Sequence, residues 1–159
     1  MSSKRSIAVF LFVSVSVFFT DQLTKWIFFR PAFEEKLIIA NVLEFILHKN
    51  SGISFNIPIP RFLTIITTLV VLIGILYLIR INRAMQLRTM IGLALVFGGA
   101  LGNMLDRIVF DYVRDWLLFF GRSAINLADF CILLGMLFYF IGETLFRNNK
   151  EPQTLDRSG

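Results

Sequence analysis

Four long apolar runs, near 7–29, 62–79, 89–105 and 125–146, restrict this chain more than any other feature. A helix rises about 1.5 Å per residue, so about 20 mostly apolar residues cross roughly 30 Å of hydrocarbon. Of the 159 residues, 56% are hydrophobic and 18 are Phe; the mean hydropathy is +0.71. A soluble domain of this length uses less, about 45–50% apolar residues. The expected fold is therefore an all-α integral membrane protein with four transmembrane helices. Lys4 and Arg5 before the first run imitate a secretory leader, but Phe18-Phe19-Thr20-Asp21-Gln22 offers no small-x-small cleavage site, so an uncleaved helix is expected.

The connections differ in character. Residues 30–61 are too polar to span and too long for a turn. Within them 37–47 is rich in Ile, Leu, Val and Phe, Asn50-Ser51-Gly52 signals a turn, and Pro58 and Pro60 end the element. A small extramembrane β-sheet at about 37–57, between helices 1 and 2, is expected. Residues 1–147 form a single membrane domain, and 148–159, with Pro152 and mixed charge, form a flexible tail. An even number of spans puts both termini on one side. The short loop with Arg80, Arg83 and Arg88, together with Lys4, Arg5, Arg147, Lys150 and Arg157, outweighs Arg30, Lys36, Lys49, Arg61, Arg107, Arg114 and Arg122 by eight to seven. The density at the short loop makes the termini cytoplasmic.

Several function classes fall away. Cys131 is the single cysteine and His48 the single histidine, so neither an internal disulfide nor a Cys/His metal site can form, and no metal or organic cofactor is expected. The net charge of +5 is dispersed between apolar segments rather than gathered on one face, which argues against nucleic acid. Cys131 reads as a core residue and His48 as a surface one.

Ionisable residues bordering the apolar runs carry the chemistry, since a charge at the bilayer centre costs roughly 2.5–3.5 kcal/mol even on lenient scales. Asp115 and Asp129 are 14 positions apart, joined by a connection able to fold back. Two Asp sharing a site cannot both ionise, and so present one acid and one base together. Asp129 has no Lys or Arg in the next three turns to pair with. Asn126 three residues earlier either caps the fourth helix or faces the same site. On the third helix Asn103 and Arg107 are four apart and share a face, as do Gly98 and Gly102, a small-residue surface with room for a substrate segment or acyl chain. Asp21 and Lys25, at i and i+4, form either a structural ion pair or a substrate-facing one. Asn50 and Gly52 read alone are a turn.

Taken in order, Asp21-Gln22-Leu23-Thr24-Lys25, Asn50-Ser51-Gly52-Ile53-Ser54-Phe55, the block from Gly98 to Arg107, Val113-Arg114-Asp115-Trp116 and Ile125-Asn126-Leu127-Ala128-Asp129 resemble the lipoprotein signal peptidases, or type II signal peptidases. The resemblance implies a membrane-embedded aspartic endopeptidase that removes the signal peptide from diacylglyceryl-modified prolipoproteins, immediately before the lipidated cysteine. It implies Asp115 and Asp129 as the catalytic dyad. Asn103, Arg107 and Asn126 match the polar residues around it, Gly99 the glycine four before the Asn, and Asn50 with Gly52 the extramembrane-loop motif. Asp21 and Lys25 support fold and site, and Asp106 and Ala128 belong to the matched blocks. The implied setting is the bacterial cytoplasmic membrane, with the site near the outer face, membrane lipid and the lipidated precursor as partners, and a monomer as the working unit. Three positions depart from the pattern: Asp111 where glycine is common, Arg114 where an aliphatic residue is usual, and Ile125 in place of an aromatic. Asp111 and Arg114 are expected to add charge near the dyad. On charge alone, a transporter that binds cations or relays protons through its Asp residues explains the carboxylates equally well, but not the Asn-Gly and Gly-Asn-Asp-Arg blocks.

Overall fold

The computed structural model describes residues 3–33, 37–39, 42–52, 59–82 and 85–148. In chain order the elements are α1 (Ser3–Phe28), a 3-10 turn (Pro31–Phe33), β1 (Leu37–Ile39), β2 (Leu43–Asn50), α2 (Arg61–Ile81), α3 (Leu87–Phe110), β3 (Val113–Phe119), β4 (Ser123–Ile125) and α4 (Leu127–Asn148). Arg5–Phe28, Arg61–Ile81 and Leu87–Phe110 are long and apolar enough to cross a membrane, whereas the apolar part of α4, Leu127–Gly142, is shorter. Large apolar side chains stand outward, Phe12 at 74%, Phe19 at 64% and Ile73 at 65% exposure. Water would penalise that surface, and acyl chains would not.

α3 is the central helix, because its small residues let neighbouring backbones approach. A Cβ built on Gly98 would strike the Ser14 carbonyl and Val17 of α1, and one on Gly102 would strike the Asp21 carboxylate. Gly99 faces the Ala128 carbonyl and Ile132 of α4, while Gly92 and Gly135 face each other's carbonyls. The Gly98/Gly102 surface is therefore filled by α1, and no space for a substrate segment is left there. Cys131 is buried. Phe10, Ile75, Met90, Leu93 and Ala94 form the apolar core away from the sheet.

The sheet differs from expectation. Its order is β1-β2-β3-β4, every pair antiparallel, so half its strands come from the connection between α3 and α4 rather than from between helices 1 and 2. β3 was hidden because Arg114 and Asp115 interrupt its apolar alternation, and β4 spans only three residues. Residues 53–58, which include the end of the expected sheet, and 149–159 of the expected tail lie outside the described residues, while Asn148, the first residue of that tail, is the last of α4. β2 and β3 pair His48 with Asp115 and Asn50 with Val113. Directly opposed residues share a face, so His48, half-buried, stands on the Asp115 side of the sheet rather than on an open surface. Phe28 packs on Phe33, Phe45 and Trp116 with ring centroids 4.7–5.4 Å away, fastening the sheet to the end of α1.

α3 runs five residues past Leu105 to Phe110, which keeps Asn103, Asp106 and Arg107 on one helix. It ends at Asp111 in the left-handed region, φ 71°. A glycine suits that conformation best, and Asp is among the few other residues that tolerate it. The Asp111 side chain turns outward to pair with Arg61 at the start of α2, both well exposed.

Candidate active site

Asp115 and Asp129 come together where the sheet meets the start of α4. The local geometry of α4 explains Asp129. Asn126 Oδ1 accepts the Asp129 backbone N–H at 3.0 Å, and Asp129 Oδ2 accepts the Asn126 N–H at 3.3 Å. This reciprocal cap satisfies two donors that a helix start leaves unpaired. The Asn126 amide also donates from Nδ2 to Asp115 Oδ1 at 2.6 Å. Capping and site membership were alternatives in the sequence; Asn126 does both, and it is the bridge between the two carboxyl groups.

The remaining carboxylate oxygens are filled from two other elements. Asn50, at the end of β2, donates to Asp115 Oδ2 at 3.0 Å and holds its own loop by accepting the Gly52 N–H at 3.0 Å. Asn103 of α3 donates to Asp129 Oδ1 at 2.8 Å. Each of the four oxygens thus accepts from a neutral donor. Arg107 reaches the Gly52 carbonyl at 2.9 Å and the Asn103 carbonyl at 3.3 Å, tying the loop after β2 to α3. Asp115 is fully buried. Burial first, and then the negative charge of Asp129, pushes its carboxyl up to about 7, against the pull of the Asn50 and Asn126 donors.

Behind the pair lies a buried charged cluster. Lys25 donates to Asp21 at 2.8 Å, to Asp106 at 3.2 Å and to Asn103 Oδ1 at 2.9 Å. An ammonium has three protons, and all three are used. Asp21 also accepts the Ala128 backbone N–H at 2.9 Å, which joins α1 to the first turn of α4. The i,i+4 pair is therefore structural, and it reaches the site through Asn103. Gln22, assigned no role in the sequence, donates to Asp21 at 3.2 Å, to the Gly102 carbonyl at 3.2 Å and to Asp106 at 3.4 Å. Its place in the block Asp21-Gln22-Leu23-Thr24-Lys25 was the available signal. Arg114 points away from Asp115, into this cluster, and Asp111 points to Arg61, so neither lays its charge on the pair as expected.

Fold and site together define a helical membrane protein with a polar centre at the junction of a sheet and two helices. The family model described as signal peptidase (SPase) II matches residues 13–145. The lipoprotein signal peptidase of Anoxybacillus flavithermus is 33% identical over 144 residues, 86% of each chain. That of Shouchella clausii is 32% identical over 147 residues, 89% of this chain and 97% of its own. A solved structure described as a bacterial membrane enzyme superposes with a TM-score of 0.81 at 25% identity, covering 92% of this chain and 94% of that one. The chain belongs to the signal peptidase II family, a family of peptidases.

Proposed function

We propose that this chain is a membrane-embedded aspartic endopeptidase that cleaves the signal peptide from diacylglyceryl-modified prolipoproteins immediately before the lipidated cysteine. The observation that carries the reading is the pair of carboxyl groups, Asp115 and Asp129, joined through Asn126 and supplied with a donor at every oxygen. With the Asp115 carboxyl pushed up to about 7, the pair keeps one proton near neutral pH. The ionised member takes a proton from water as that water attacks the scissile carbonyl. The protonated member donates to the developing oxyanion, and the proton taken from water then passes to the departing amine. General acid–base assistance of this kind contributes about 100- to 10,000-fold. Arg107, Asn103 and Gly52 hold the loop and helix that frame the pair, and Asp21, Lys25, Asp106, Gly99 and Ala128 set the spacing of α1, α3 and α4 behind it.

In this reading all four helices span the bacterial cytoplasmic membrane as one domain, with both termini cytoplasmic and the sheet on the outer surface. α4 starts at the membrane boundary because its first turn carries Asp129. A cysteine bearing two acyl chains is held at the bilayer surface, which delivers the neighbouring peptide bond to a pair at the same depth. The chain works as a monomer and needs no cofactor. The test is cleavage of a diacylglyceryl-modified precursor and of the same precursor unmodified by the purified protein in detergent. The modified form is cut before its cysteine and the unmodified form is spared; equal cleavage of both would remove the lipid from the account.

A further inference from the structure

Arg114 stands beside Asp115 in β3, and its contacts give it a task. Asp21, Lys25 and Asp106 are all fully buried, so two carboxylates share one ammonium. Arg114 brings the second cation. Its Nη2 lies 2.7 Å and its Nε 3.3 Å from Asp106 Oδ1, its own backbone N–H donates to Asp106 Oδ2 at 3.0 Å, and Nη2 also reaches Gln22 Oε1 at 2.8 Å. The guanidinium sits 4.4 Å over the Phe110 ring and its side chain is 12% exposed. A planar fork with five donors fits this set of partners, and a point charge does not.

The consequences run in two directions. Lys25 shares Asp106 Oδ2 with the Arg114 backbone and spends its remaining protons on Asp21 and on Asn103 Oδ1. The bond to Asn103 Oδ1 turns the other end of that amide, Nδ2, toward Asp129. Were Asp106 without Arg114, it would draw Lys25 away from Asn103, and the amide would lose its fixed orientation. Asp106 also grips both the backbone and the side chain of the residue next to Asp115, which fixes the start of β3 and the height of that carboxyl group. We propose that Arg114 is a positioning residue for the carboxylate pair, acting through Asp106, Lys25 and Asn103 on Asp129 and through the β3 backbone on Asp115. This rests on the peptidase reading above.

The titratable and charged groups around the pair are Asp21 and Lys25 from α1, Asp106 and Arg107 from α3, and His48, the register partner of Asp115, from β2; Lys49, the exposed register partner of Arg114, lies on the other face of that strand. Replacing Arg114 by Leu leaves Asp106 less neutralised and draws Lys25 toward it. Lys25 favours the ionised form of Asp115, so with that cation further off the alkaline limb of the rate profile, on which the pair loses its shared proton, moves to higher pH.

The experiment measures kcat, KM and their pH dependence for cleavage of a lipidated precursor by the parent, Arg114→Leu and Arg114→Lys, each corrected for the folded fraction. Arg114→Leu is expected to lower kcat about tenfold or more with KM within about twofold, and to move the alkaline limb upward. Arg114→Lys is expected to restore the alkaline limb, because a cation again neutralises Asp106, while kcat recovers only in part, because the fork does not return. If Arg114→Leu is too unstable to assay, a fall in kcat at constant KM in Arg114→Lys supports the proposal and parental kcat in it refutes it. Parental kcat and pH profile in folded Arg114→Leu, even with lowered thermal stability, would overturn it. A parent that cleaves no precursor would instead sink the peptidase reading itself.

Discussion

Gly99→Ala adds a single methyl group at the contact that sets the spacing of the two halves of the site. The new Cβ would lie 2.7 Å from the Ala128 carbonyl oxygen and 2.9 Å from Ile132 Cγ1, where ordinary van der Waals contact begins at 3.4 Å. The carbonyl is helix backbone and cannot swing aside, so α4 must retreat from α3 by about 0.7 Å. Asp129 follows Ala128 directly, and its bond from Asn103, 2.8 Å, would lengthen to about 3.5 Å and cease to be a hydrogen bond. Overpacking of this kind costs about 1–3 kcal/mol of stability. A catalytic group misplaced by about 1 Å costs up to about 100-fold in rate. The expected result is a folded protein whose kcat falls roughly 10- to 100-fold with a smaller change in KM. Steady-state cleavage of a lipidated precursor, read beside thermal unfolding in the same detergent, measures both. Parental kcat in a folded Gly99→Ala protein would refute the claim that this close approach sets the geometry of the pair.

Three further outcomes are expected. Lys25→Met strips three donors from a fully buried cluster and leaves Asp21 and Asp106 without their ammonium; breaking a buried pair costs about 3–5 kcal/mol. Its unfolding temperature should drop by roughly 10 °C or more, and an unchanged value would contradict the assigned contacts. Asn126→Ala loses a helix cap at about 1 kcal/mol of stability, but it also disconnects Asp115 from Asp129, so its kcat should fall far more than its stability does, as paired activity and melting measurements will tell. The third concerns pH. The folded-state value of the Asp115 carboxyl, about 7, stands above its ordinary 3.8, so between those values the folded protein holds a proton that the unfolded chain releases. Stability therefore falls as pH rises from about 4 to about 7, by a few kcal/mol. Asp115→Asn should flatten that part of a melting-temperature profile, and a variant slope equal to the parent's would count against the burial argument.

The helices were legible in the sequence because lipid imposes a length and a composition that few other constraints produce. The sheet was half legible. Strands from the first connection announced themselves by apolar residues and a turn, whereas β3 holds Arg114 and Asp115 near its start and pairs with residues about 63 to 76 positions earlier. Site residues at helical spacing, such as Asn103 with Arg107 or Asp21 with Lys25, could be placed on a common face. What spacing could not disclose is which side of α3 each face meets. Gly98 and Gly102, read as room for substrate, are occupied by α1, while Gly99, one residue on, sets the approach of α4. The same limit applies to two of the departures: Arg114 alternates away from Asp115 along β3, and Asp111, past the end of α3, turns outward to Arg61. Local sequence shows charge, and only the register and the helix ends show where it points.

The most direct test of the shared carboxylate pair is the cleavage rate of a lipidated precursor by Asp115→Asn, Asp129→Asn and the double variant, each verified as folded. Groups that act as one unit are strongly non-additive when removed. Each single variant should fall to the uncatalysed background, with the double variant no lower. A single variant that keeps the parental rate, or a double variant whose loss is the product of two modest single losses, would contradict the account.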